Sequence, residues 1–90
     1  MNAEKFSISS CCGKSSTIYK IDRPITRQLI DQLIALGFSE EKSFTSAGIL
    51  YMLNPNFILN GPIGQNKIQV KARKKESNFE EVEALFKTIT

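Results

Sequence analysis

Two hydrophobic periods alternate along this chain, and the switches between them divide it into elements. In TRQLIDQLIALGF, Thr26 to Phe38, the residues Leu29, Ile30, Leu33, Ile34 and Leu36 recur at helical spacing and form one broad apolar stripe. Thr26 offers a side-chain oxygen to the first free amides, and Ile25 with Ile30 occupy the two positions of a hydrophobic staple. Gly37 suits a left-handed stop, with Phe38 folding back on Leu33. A second helix is predicted near the end of the chain, where Phe79, Val82, Leu85, Phe86 and Ile89 share a face. Ser77 with Glu80, or Asn78 with Glu81, fits a capping box there, and Glu80, Glu81 and Glu83 lie toward the positive end of the helix dipole.

The other segments have a period of two or are short and apolar throughout. TIYKID, Thr17 to Asp22, reads as a strand stopped by Arg23-Pro24. GILYMLN, Gly48 to Asn54, is apolar on both faces, which suits a central strand. Asn54-Pro55-Asn56 is a turn, FILN a further strand, and 61–66 a second turn. KIQVKAR, Lys67 to Arg73, alternates cleanly, with Ile68, Val70 and Ala72 on one side and Lys67, Gln69, Lys71 and Arg73 on the other. KFSIS, Lys5 to Ser9, alternates weakly as an edge strand, while 9–16 and 39–42 read as loops.

The resulting order is β-α-β-β-β-α, with an optional strand at the start. The short turns call for a mainly antiparallel sheet of three to five strands, and two amphipathic helices need one sheet face to cover. The expected fold is therefore an α+β two-layer sandwich with both helices on one side. Residues 1–90 make one domain, with 1–16 loose or an edge strand plus loop. The core should include Leu33, Phe38, Val70, Val82 and Phe86. The opposite sheet face should be open to solvent or to a partner.

Composition narrows the chemistry. The chain carries a formal net charge of +3 and no histidine, so the commonest general base and the commonest metal ligand are both missing. No apolar run approaches the ~18 residues that span a bilayer. The expected location is cytoplasmic, with no membrane partner and no cofactor.

SSCCGKSST, Ser9 to Thr17, is the stretch that most resembles a chemical motif. As the end of a phosphate-binding loop it would need a glycine at position 8, which is Ile8, and a helix directly after it, where a strand is expected instead. Cys11 and Cys12 could bind a soft metal ion. However, a structural zinc site takes four ligands, and this chain has one adjacent pair. A redox or nucleophilic role would need a neighbour that lowers a thiol pKa, and only Lys14 is close in sequence. The simplest reading of the stretch is a small-residue loop.

Gly61 to Gly64 spells G-x-x-G, which clamps nucleic-acid backbone when it joins two helices. Here strands flank it, so a hairpin turn is expected. Lys67, Lys71, Arg73, Lys74 and Lys75 form a basic set able to meet phosphates, with Tyr19 or Tyr51 available for stacking if they share its face. Lysines on an edge strand would instead discourage sheet-to-sheet pairing. Asp22, Asp31 and the Glu80–Glu83 cluster are better explained by surface and capping roles than by catalysis. The leading functional reading is a small non-enzymatic interaction module that binds another protein or a second copy of itself. The alternative is an electrostatic nucleic-acid binder using residues 67–75, and the third is a thiol-dependent metal or redox protein using Cys11 and Cys12.

Overall fold

A computed structural model describes the backbone of residues 1–11, 14–74 and 78–89, and the side chains of 1–6, 16–74 and 78–89. Six strands form one antiparallel sheet: β1 (Ala3–Cys11), β2 (Lys14–Ile21), β3 (Ser39–Glu40), β4 (Ile49–Leu53), β5 (Phe57–Pro62) and β6 (Lys67–Ala72). Their spatial order is β1-β2-β6-β5-β4-β3. Three helices complete the fold: α1 (Arg27–Ala35), α2 (Lys42–Ser46) and α3 (Phe79–Lys87).

The two long helices begin where the sequence places them and α1 also ends there, while α3 stops at Lys87, before Ile89 of the expected apolar face. Thr26 caps α1 by accepting from the Leu29 amide. At the other end Phe38 N–H donates to the Leu33 carbonyl and Gly37 N–H to that of Ile34, with Gly37 at φ +101°, which completes a Schellman ending. Asn78 caps α3 by accepting from Glu80 N–H at 2.9 Å. Both helices lie on one face of the sheet. Leu29, Ile30 and Leu33 of α1 and Val82 and Phe86 of α3 join Tyr19, Leu50, Met52, Leu59, Ile68 and Val70 in a single buried cluster. Tyr19 meets Phe86 edge-on at 5.7 Å, and Phe57 packs against Phe79 at 5.9 Å. All five expected core residues are buried. In α1, by contrast, Ile34 belongs to the apolar stripe yet is 41% exposed.

Three local expectations are corrected. Of residues 9–16, the described ones, 9–11 and 14–16, are strand and not loop. β1 continues to Cys11 and β2 starts at Lys14, with Ser9 opposite Ser16, Ser10 opposite Ser15 and Cys11 opposite Lys14. Small polar residues have low strand propensity, but here both strands pair in register and β2 also pairs with β6, so tertiary pairing overrides it. Residues 39–42 are not a plain loop either: they contribute β3 and the start of α2, elements too short to show a period. Finally, β6 is an interior strand between β2 and β5, so its lysines do not guard an edge; the edges are β1 and β3.

Gly61 and Gly64 are explained by the β5–β6 hairpin. Gly64 takes φ +92° in the turn. At Gly61 a Cβ would lie 2.5 Å from the Lys67 carbonyl oxygen and 3.1 Å from Ile25 Cδ1, so glycine lets β5 pass close to β6 beneath Ile25.

Candidate functional site

The cross-strand register lays out the uncovered face of the sheet as three rungs. One runs Glu4, Lys20, Lys67, with the pair Pro62 and Ile49 on the far strands. The next runs Ile18, Gln69, Asn60, Tyr51. The third runs Ser16, Lys71, Ile58, Leu53, Ser39. Each of these positions alternates with a residue on the helix-covered side, which is why one face of the strands is core and the other is free.

Charge is uneven on this face. Lys20 and Lys67 are directly opposite one another, and like charges so placed repel. Lys20, Lys67 and Lys71 are all exposed, and none makes an ion pair among the described residues. Glu4 is the one acid on these rungs, opposite Lys20 on the edge strand β1, and it makes no ion pair among the described residues. Lys67 Nζ lies 4.2 Å from the centre of the Phe6 ring, a cation–π contact. Phe6 is itself 59% exposed. It has the outward parity of Glu4, two residues before it, and the bulge between Lys5 and Ser7 leaves Phe6 as the extra residue of β1.

Beside Lys67 the face dips into a cleft of about 530 Å³, lined by Ile18, Asn60, Gly61, Pro62, Gln65, Asn66, Lys67 and Gln69. That volume lies within the ~300–1,000 Å³ of ordinary ligand clefts. Its polar walls are four carboxamides and one ammonium, with no carboxylate. None of the four carboxamides makes a hydrogen bond with another described residue. The turn holds two of them in place through its backbone: Asn66 accepts from Ile21 N–H and Gln65 from Ile25 N–H, both at 2.8 Å. A carboxamide presents donors and an acceptor together, so this cleft can read the mixed edge of a planar polar group.

Toward β4 the same face becomes apolar. Ile49 and Phe44 are 40% and 42% exposed, and Phe44 of α2 stacks on Tyr51 at 4.7 Å. The apolar outer side of β4 thus reflects this platform and not a central position, because β4 is next to last in the sheet.

The basic residues foreseen from the sequence separate in space. Lys67 and Lys71 share the open face. Arg73 lies beyond the end of β6 and donates to the Asn54 carbonyl at 2.8 Å, which ties it to the β4–β5 turn. Lys74 follows, exposed, outside the strand. Lys75 lies outside the described residues, as do Cys12 and the side chain of Cys11. Among the described residues no three Cys, His, Asp or Glu side chains come together as a metal site. Tyr19 is not available for stacking: it is wholly buried under the helices and donates to Glu83 Oε2 at 2.9 Å. Burial and the Glu83 carboxylate hold its phenol well above the ordinary 10.0.

The acids have structural partners. Asp22 accepts from Arg23 Nε and from the Asn2 amide, and these bonds lower its pKa to about 2. Glu40 accepts from Arg27 and from Thr45, and the guanidinium foremost holds it below the usual carboxylate range. Asp31 pairs with Arg27 one helical turn away.

Sequence reasoning missed Lys20, Phe6 and the amide cleft. Lys20 is on the outward parity of its strand, a signal present in TIYKID, but its place opposite Lys67 depends on β2 pairing with β6. No family model, curated protein or solved structure matches the chain.

Proposed function

We propose that this protein is a non-enzymatic binding module whose working surface is the open face of the sheet, and that its partner is anionic. One observation carries the reading. Three exposed lysines and four carboxamides, none with an ion-pair or side-chain hydrogen-bond partner among the described residues, stand beside an exposed aromatic ring, and two of the lysines are directly opposed. Repulsion between Lys20 and Lys67 costs stability in the free protein, and a bound anion would turn it into attraction. The absence of histidine and the structural engagement of Asp22, Asp31, Glu40 and Glu83 support binding over catalysis.

The test is a titration with inorganic polyphosphate, followed by a change of environment at the protein. The account expects saturable binding that weakens when Lys20, Lys67 and Lys71 are all changed to Gln. The same number of changes away from this face, at Lys42, Lys74 and Lys87, should leave it intact. Equal loss in both sets would reduce the effect to net charge and remove the assignment of a face.

A further inference from the structure

We infer that the anionic partner is single-stranded nucleic acid, with one base seated in the carboxamide cleft at the β5–β6 turn and the adjoining phosphates on Lys20, Lys67 and Lys71. The inference rests on the open-face reading above and adds the class of ligand.

Three features select a single strand over other polyanions. The first is the mixed wall of the cleft. Phosphate and sulfate groups need donors only, whereas the edge of a nucleobase carries donors and acceptors in one plane, which suits Asn60, Gln65, Asn66 and Gln69. The second is the aromatic ring at the margin. Phe6 is exposed with the Lys67 ammonium over its ring, so a base stacking there would take the ammonium's place and leave it to the adjoining phosphate, the pairing that single-strand binders use. The third is charge complementarity with a flat, open approach. The three lysines lie on neighbouring interior strands and outnumber the one acid on these rungs, Glu4, which sits opposite Lys20 on the edge strand. A duplex keeps its bases stacked and their Watson–Crick edges occupied, so it could use the lysines but could not seat a base in the cleft.

The lysines supply affinity without reading the base, and the carboxamides read the base without carrying charge. These contributions can be separated. Labelled single strands of roughly ten nucleotides, DNA and RNA, should be compared with a duplex of the same sequence and with heparin, which is a polyanion without bases, over a range of salt. The single strands should bind more tightly than the duplex. Changing Lys67 and Lys71 to Gln should flatten the slope of log affinity against log salt by about 1.4, two phosphates at about 0.7 each. Changing Gln65 to Ala in the exposed turn, or Gln69 to Leu, should weaken the single strand about threefold to tenfold, the effect of one or more lost hydrogen bonds. Neither change should alter the salt slope or the affinity for heparin. Phe6→Ala should cost tenfold or more for the single strand alone.

If heparin and duplex bind as well as the single strand, and the Gln65 and Gln69 variants match wild type, the nucleic-acid inference is overturned while an anion-binding open face stands. If no oligonucleotide binds at low salt and the protein self-associates through Phe6 and Ile49, the inference fails and a second copy covers the face. If a ligand binds but protects α1 and α3, both the inference and the open-face reading fail.

Discussion

The same strands present two surfaces with opposite properties. On the covered side, Thr17, Val70, Leu59 and Met52 follow one another across β2, β6, β5 and β4, all buried. One residue further along each strand, the open side runs Ser16, Lys71, Ile58, Leu53, with Lys71 exposed and the other three half-buried. The backbone is shared, so the difference lies in the side chains and in the helices that bury one set. Stability should therefore depend on the covered side and binding on the open side. Substitutions that separate the two are the natural way to break or sharpen this division.

The largest effect is expected at Phe86. Its ring is fully buried against Tyr19, and Phe86→Ala should cost ~3–5 kcal/mol in a denaturant titration. A loss below about 1 kcal/mol would mean that α3 is peripheral, and the covered side would lose its role. Next comes Gly61→Ala. The added methyl meets the Lys67 carbonyl and Ile25, and the overpacking should cost ~1–3 kcal/mol by the same measurement. Because Gly61 also floors the cleft, this variant should lose ligand affinity along with stability, where the β5–β6 turn joins the two surfaces.

Tyr19→Phe removes a partly buried hydrogen bond and leaves Glu83 with Lys5, so it should cost about 0.5–1.5 kcal/mol. It also carries a pH signature. The folded phenol ionises above its ordinary 10.0, so its contribution is fully present below that pH and is lost as pH rises beyond it. Wild type should weaken steeply in alkali, and Tyr19→Phe should flatten that limb; identical alkaline profiles would show that another group controls it. The smallest effect has the opposite sign. Lys67→Gln relieves the repulsion with Lys20 and should leave stability unchanged or raise it by ~0.2–1 kcal/mol. A clear loss would mean that the open side also bears load, for instance through the Phe6 contact.

The two surfaces were unequally legible in the sequence. The covered side follows local rules: a 3.6 period in α1 and α3, a period of two in β6, Thr26 and Asn78 at the caps, Gly37 at a stop. Each can be read within a short window. The open site depends on the pairing order, which no short window contains. Lys20 and Lys67 are far apart in the chain, and only the β2–β6 ladder sets them opposite. Phe6 is harder still. The bulge after Lys5 breaks the alternation of its strand, and what Phe6 meets depends on where the β1–β2 and β2–β6 ladders bring Lys67. The carboxamides of Gln65 and Asn66 fall in a turn, where polar residues are ordinary and carry no signal of their own. The serine-rich stretch misled for the converse reason: its composition suggests a loop, and only the partner strand makes it a ladder.

The most direct test of the division is a residue-by-residue map of amide chemical shifts as the roughly ten-nucleotide single strand is added. The account predicts changes centred on Ile18, Lys20, Asn60, Gln65, Lys67 and Gln69, with Leu33, Val82 and Phe86 unmoved. Changes centred on α1 and α3, with β2 and β6 silent, would contradict it.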